Sequence, residues 1–373
     1  MSSRALEQEK GGFVSRSTGA PAKRLAVLDG LRGVAAFGVI NDHVASETLR
    51  MLSPGRYLAV DFFWVLSGFV LALAYDARLK QGMSARTFMS ARIIRLYPLY
   101  LLGLAIGLAL VFYGALRHWG NVTPFQVAVA AGFGLFFVPL PPFFSSIVHL
   151  FPLNGPSYSL FYELVVNLIY GVIARLLNLR VLLSVLTVSA VLMAFILPRH
   201  APGAGWQWAD VGIGLIRVIY CFFAGVFIFR VQERIRLPSL SPWLAVAAYL
   251  AIIAIPAPDD WRPFYNLVAI LIFMPLLVAL SAGSVVHGFT ARLFILLGML
   301  SYGVYVLHVP LAALVHPVFS SLGFHPPGLV IVFLVAALAA LIAWVADKIY
   351  DQPVRRWMTA RLIPARAKAV HLD

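Results

Sequence analysis

Arg32 and His43 are the residues whose types and spacing most directly suggest chemistry in this chain. They stand eleven positions apart in an apolar run. On a helix turning about 100° per residue that spacing returns to within about 20° of one face and separates the two by roughly 16 Å along the axis. One face thus carries a cation near one end and an imidazole near the other. Imidazole is the side chain whose ordinary pKa suits proton abstraction near neutrality, so His43 is the candidate general base. The plainer alternative is a packed histidine bonded to a backbone carbonyl. Asp42 lies about 100° further round and is poorly placed to orient His43. Asp29 and Arg32, three apart, can simply neutralise one another.

A second pair, Arg92 and Arg95, lies in ARIIRLYP (Ala91 to Pro98) at the entrance of another apolar run. Two arginines three apart share a helical face and can present forked donors to phosphate groups, as a polyanionic, nucleotide-bearing acyl donor would require. The bland reading is topology alone, since arginines collect at the cytoplasmic ends of membrane spans. Asp61, Ser67, Glu163, Tyr302 and His308 are polar residues inside otherwise apolar runs. Mutual hydrogen bonding suffices to explain Ser67 and Tyr302, whereas Asp61, Glu163 and His308 stay open between supporting chemistry and satisfying one another. Ser67, Ser157 and Ser159, or a histidine, could instead carry an acyl group in a two-step reaction. No Gly-rich phosphate loop, G-x-S-x-G elbow, HExxH or His-x4-Asp pattern occurs.

The elements that must hold these residues are membrane helices. Of 373 residues 61% are hydrophobic and only 12% charged, with a mean hydropathy of +0.88, which no soluble globule sustains. Eleven apolar runs cover about 26–46, 57–75, 96–114, 123–140, 157–178, 181–197, 211–230, 242–256, 264–283, 293–315 and 328–347. Many are close to the length needed to cross a hydrocarbon core of about 30 Å. The net charge of +14 sits mostly in short segments between runs, which fits cytoplasmic loops rather than nucleic-acid binding. Basic segments are the N-terminal tail, 76–95, 174–180, 230–236 and the end of the chain from Lys348. The loops at 47–56, 198–210, 257–263 and 316–327 read as external. Cys221 is the sole cysteine, so neither a disulfide framework nor a cysteine metal site is expected.

Alternation of sides fails once. The stretch PLPPFFSSIVHLFPLNGP, Pro139 to Pro156, has five prolines and cannot form a regular helix. A segment between Arg117 and Pro156 is therefore expected to enter the membrane without crossing it, where protein or water satisfies its backbone. The expected fold is an all-α polytopic membrane protein, a bundle of about ten transmembrane helices with one re-entrant segment and both termini cytoplasmic.

Elements that follow one another in order along the chain carry a resemblance to acyltransferase family 3. LDGLRGVAAFGVINDHV (Leu28 to Val44) resembles that family's first helix, its Arg-to-His spacing met by Arg32 and His43. AVDFFWVLSGFVLA (Ala59 to Ala72) is similar to its second helix, and ARIIRLYPLY to its Arg-x-x-Arg-x-x-Pro element. SYSLFYE (Ser157 to Glu163) resembles a Trp-Ser-Leu-x-x-Glu pattern, with Tyr158 in place of the Trp. LGMLSYGVYVLHVPL (Leu297 to Leu311) and IYDQPVRRW (Ile349 to Trp357) are similar to its last-helix and terminal patterns.

The resemblance implies a membrane O-acyltransferase of the bacterial inner membrane. The acyl, possibly acetyl, group would come from acyl-CoA or a related thioester as co-substrate, with no tightly bound cofactor and no metal. The acceptor would be a carbohydrate or glycoside hydroxyl. The expected site then has His43, Arg32 and Glu163 as catalytic residues and Arg92 and Arg95 on the donor, with Asp29, Asp61, Ser159, Tyr302 and His308 supporting. The expected divisions are a disordered basic tail over 1–24, the acyltransferase domain over 25–357 and a basic tail over 358–373. The rival reading from another class is a proton-coupled carrier of a sugar or small organic acid, since intramembrane Asp, Glu, Arg and His also mark ion pathways.

Overall fold

The computed structural model describes residues 20–44, 50–117, 122–144, 148–321, 323 and 326–363. They form helices α1 Ala20–Val44, α2 Ala59–Lys80, α3 Ala85–Leu116, α4 Pro124–Leu135, α5 Ser157–Ile173, α6 Leu179–Ile196 and α7 Val211–Gln232. These continue as α8 Pro242–Ala254, α9 Arg262–Val268, α10 Met274–Ser281, α11 Gly288–Ser321, α12 Gly328–Ala346 and α13 Gln352–Leu362. Single π turns, Ala269–Phe273 and Asp347–Asp351, join α9 to α10 and α12 to α13. Among the described residues there is no strand, only an isolated bridge between His149 and Gln207. Among the described residues seven helical spans are long and apolar enough to cross a membrane. Large apolar side chains such as Leu183, Val188, Phe333, Leu341 and Trp344 are exposed, while Asp61, Asn167, Arg217 and His308 are buried. Apolar outside and polar inside is the arrangement of a multi-pass integral membrane protein.

Two parallel helix pairs fix the interior. α1 packs most extensively on α11, and α2 on α7. Both pairs approach closely at glycine. A Cβ on Gly33 would fall 2.4 Å from the Leu297 Cβ, and one on Gly68 would fall 1.9 Å from the Phe222 carbonyl oxygen. Small residues at such crossings let helices in lipid gain packing and polar contacts that longer side chains would block.

The re-entrant expectation finds its counterpart in α4. This helix of 12 residues begins beyond the end of α3. It finishes against the middle of α3, where the Tyr97 and Tyr100 hydroxyls donate to the Leu135 and Gly134 carbonyls, both at 2.6 Å. The chain reverses at Phe137, whose φ of 58° is unusual for a bulky residue. Its ring stacks on Tyr100 at 3.8 Å. The proline-rich return is held by Leu140 N–H to the Leu150 carbonyl (2.9 Å), by Leu150 N–H to the Trp206 carbonyl (3.1 Å) and by Asn154 Nδ2 to the Val306 carbonyl (3.1 Å). Protein groups thus satisfy backbone that is not helical, as a segment entering a membrane without crossing it requires.

Several boundaries differ from expectation. α1 begins at Ala20, inside the segment expected to be a tail, and residues 1–19 lie outside the described residues. The 76–95 segment is helical except for a turn at Gln81–Ser84, where Gly82 has φ 118° and the Ser84 hydroxyl caps α3 through Thr87 N–H. The start of the expected C-terminal tail is helical to Leu362, and residues 364–373 lie outside the described residues. Arg230 is not a loop residue: it ends α7, buried against Asp76 at 2.6 Å, because the apolar run carries its charge inward to a carboxylate.

Candidate active site

The α1–α11 pair brings His43 to His308. His308 is fully buried, and its Nδ1 lies 2.7 Å from the Tyr305 carbonyl oxygen. A carbonyl only accepts, so Nδ1 carries the hydrogen, and in the neutral ring Nε2 is left as an acceptor. That Nε2 lies 3.2 Å from His43 Nδ1, which therefore donates. The lone pair of His43 falls on Nε2, on a ring exposed at the end of α1. Around it the surface is polar: Asp42 pairs with Arg56 at 2.5 Å, and Asn41 donates to Ser53 at 2.7 Å. Asp42 is thus occupied elsewhere, as its angular position on α1 suggested.

Arg32, at the other end of the shared face, pairs with Asp29 at 2.8 Å and donates to Ser301 Oγ (2.9 Å) and the Gly298 carbonyl (3.1 Å). It borders an internal cavity of about 150 Å³ that also meets Ser67, Arg92, Arg95, Glu163 and Tyr305. Glu163 Oε1 accepts from Ser67 Oγ and from Arg92, both at 2.7 Å. Arg95 sits 5.6 Å from the centre of the Tyr302 ring, whose hydroxyl donates to the Leu96 carbonyl at 2.5 Å just ahead of Pro98. Arg92 and Arg95 also border a second, larger cavity of about 640 Å³ between α3 and α13. They line both spaces and form the boundary, or neck, between them. The inner cavity ends on Tyr305 and Ser159, joined by a hydrogen bond of 2.6 Å. Behind that wall the Tyr305 ring lies 5.9 Å from His308.

A family model described as an acyltransferase domain, that of acyltransferase family 3, matches residues 25–347. The chain belongs to acyltransferase family 3. A curated relative, "Protein 2 in picA locus" of Rhizobium radiobacter, is 39% identical over 184 residues, which cover 46% of this chain and 94% of the relative. No solved structure gives a significant match.

In this membrane acyltransferase most of the sequence-derived residues fall into two groups. His43 and His308 form one, at the exposed end of α1. Arg32, Asp29, Arg92, Arg95, Glu163, Ser67 and Tyr302 gather at the inner cavity and its neck, with no described contact from Glu163 to His43. Ser159 stands between the two groups, bonded to Tyr305. Asp61 belongs to neither. It pairs with Arg217 through two bonds, 3.0 and 2.6 Å, with side chains 0% and 2% exposed, and Arg217 also donates to the Ala204 carbonyl. Arg217 escaped the sequence reading although the same rule that singled out Asp61, an ionisable group inside an apolar run, would have found it. Asp76, Tyr305, Ser301, Asp351 and Arg355 were likewise missed. Among the described residues no group of three or more His, Cys, Asp or Glu is gathered to hold a metal ion.

Proposed function

We propose that this acyltransferase moves an acyl group from acyl-CoA or a related thioester to a hydroxyl of a carbohydrate or glycoside, with His43 as the general base. The observation that supports this most directly is the pair of adjacent cavities that share Arg92 and Arg95, one wide and basic, the other narrow and ending near the histidine pair. A thioester with a polyanionic head and a slender arm has that shape. The basic end is the cytoplasmic one by the positive-inside bias, with both termini in the cytoplasm and His43 on the far side; the family resemblance suggests a bacterial inner membrane.

In the reaction the donor's phosphates meet the neck arginines and its thioester lies in the inner cavity. Glu163 holds Arg92 in place, and Arg32 supplies positive charge at the cavity wall while tying α1 to α11. Transfer at His43 requires the Tyr305–Ser159 wall between the cavity and the histidine pair to open. As the acceptor oxygen attacks the thioester carbonyl, its proton passes to His43 Nε2; the C–S bond then breaks and the thiolate takes up a proton. His308 is a positioning residue that holds His43 in the reactive tautomer.

Purified protein with acyl-CoA and a glycan mixture should release free thiol only when acceptor is present. Acceptor flux across vesicles without thiol release would establish a carrier instead. In the same assay Arg95→Ala should raise the apparent donor constant roughly ten- to a hundredfold, the loss of a charge-assisted contact worth about 1.5–3 kcal/mol. Arg95→Lys should recover part of this through charge without the forked geometry. An unchanged donor constant removes Arg95 from the donor site.

For His308, replacement by Ala should lower kcat roughly 10- to 100-fold and displace the acid limb of the pH–rate profile, because His43 loses the partner that fixes its tautomer. His308→Gln, whose Oε1 can accept from His43 Nδ1, should recover part of the rate. A loss of rate with an unmoved pH profile and no rescue by Gln would make His308 a packing residue only.

A further inference from the structure

The larger cavity has a feature that the neck arginines do not account for. Besides Arg92 and Arg95 it is bordered by Arg355, Arg356 and Thr359 of α13 and by Tyr75, and among the described residues no carboxylate lines it. Arg92 is balanced by Glu163 at 2.7 Å. Arg355 is balanced by Asp351, in close contact, and by Asp347 at 3.4 Å. Arg95 and Arg356 have no acidic partner within ion-pair distance among the described residues. Arg356 is exposed. Arg355, Arg356, Thr359 and Ile363 recur at helical spacing, so one face of α13 looks into the cavity. The π turn Asp347–Asp351 adds a residue ahead of that helix and sets where this face points. Guanidinium groups on α3 and α13 without an ion-pair partner, with the Thr359 hydroxyl lining the same concave space, suit a ligand with two separated phosphates.

We propose that α13 supplies the outer phosphate site of the donor: Arg356 and Thr359 bind the phosphate monoester on the ribose of a nucleotide-bearing thioester, while Arg95 holds its diphosphate. The order follows from position. Arg95 borders both cavities and Arg356 only the outer one, and in such a donor the diphosphate lies between the acyl-bearing arm and the nucleoside. The inference rests on the reading of Arg95 as a donor residue. Anionic lipid headgroups carry the same phosphate chemistry, but a headgroup would leave the inner cavity that shares Arg95 without an occupant.

The test uses full-length protein in nanodiscs of zwitterionic lipid and acceptor-dependent thiol release with three acyl thioesters: the CoA thioester, its analogue lacking the ribose phosphate, and the pantetheine thioester. Arg356→Ala should raise the donor KM roughly tenfold for the CoA thioester and leave the other two within about twofold. Arg356→Lys should recover part of the loss. Arg95→Ala should raise KM for both nucleotide-bearing donors and not for the pantetheine thioester. Equal effects of Arg356→Ala on all three donors would overturn the assignment. So would an effect present only in nanodiscs containing anionic lipid, which would identify a headgroup site. If Arg95→Ala discriminates among donors and Arg356→Ala does not, the outer site alone falls. If neither discriminates, the donor reading falls with it.

Discussion

His43→Ala is expected to reduce acyl transfer by about 10²–10⁴-fold at saturating donor and acceptor, the usual worth of a positioned general base. Protein level and melting midpoint should stay close to the parent's, because the ring is exposed at the end of α1 and contributes one side-chain bond, to His308. The loss should fall on kcat and leave the donor KM nearly untouched, since the proposed phosphate contacts, Arg92 and Arg95, belong to cavities that His43 does not line. Incubation with donor alone, followed by intact-protein mass spectrometry, should give no adduct of one acyl mass if transfer is direct. A stable adduct would route the reaction through an acyl-enzyme, with Ser67 and Ser159 on the cavity as the hydroxyls to examine. Wild-type transfer by His43→Ala in well-folded protein would end the base assignment.

The second large effect concerns stability. Asp61→Ala should destabilise the bundle by about 3–5 kcal/mol, because it leaves the Arg217 guanidinium buried without its carboxylate. The pair is held by two hydrogen bonds, and Arg217 also lies 5.6 Å from the centre of the Trp64 ring. Removing both charges is a different operation. Asp61→Ala combined with Arg217→Leu should regain most of the lost stability, since breaking a buried pair costs more than replacing it by apolar groups. Thermal unfolding in detergent, followed by tryptophan fluorescence, separates the cases. A double variant no more stable than Asp61→Ala would show that Arg217 contributes through its other contacts rather than through the ion pair.

The fold class was legible because it depends on local properties. Apolar runs near membrane length and the proline-rich stretch that breaks the alternation are visible one segment at a time, and both belong to the fold described above. The shared face of Arg32 and His43 was legible for the same reason, as helical periodicity within α1 fixes it whatever α1 packs against. Boundaries were less so. The helical part of 76–95 and α13 were read as loop or tail because basic residues were counted as topology, whereas arginine stems accompany a helix as readily as a turn.

Pairings lay beyond the reach of the sequence. Asp61 and Arg217 are 156 positions apart, and His43 and His308 are 265 apart. No spacing rule connects such residues, because their approach depends on which helices share a glycine-lined crossing and whether they run parallel. The chain by itself therefore determined the membrane bundle, the polar face of its first helix and the arginine pair on its third. Tertiary structure alone decided that His308 fixes which nitrogen of His43 is free, that Glu163 holds Arg92 rather than His43, and that α13 brings Arg356 to the cavity of Arg95. The physical reason is that periodicity fixes directions within one helix, whereas contacts between helices are set by close packing and by the need of each buried charge to find a partner.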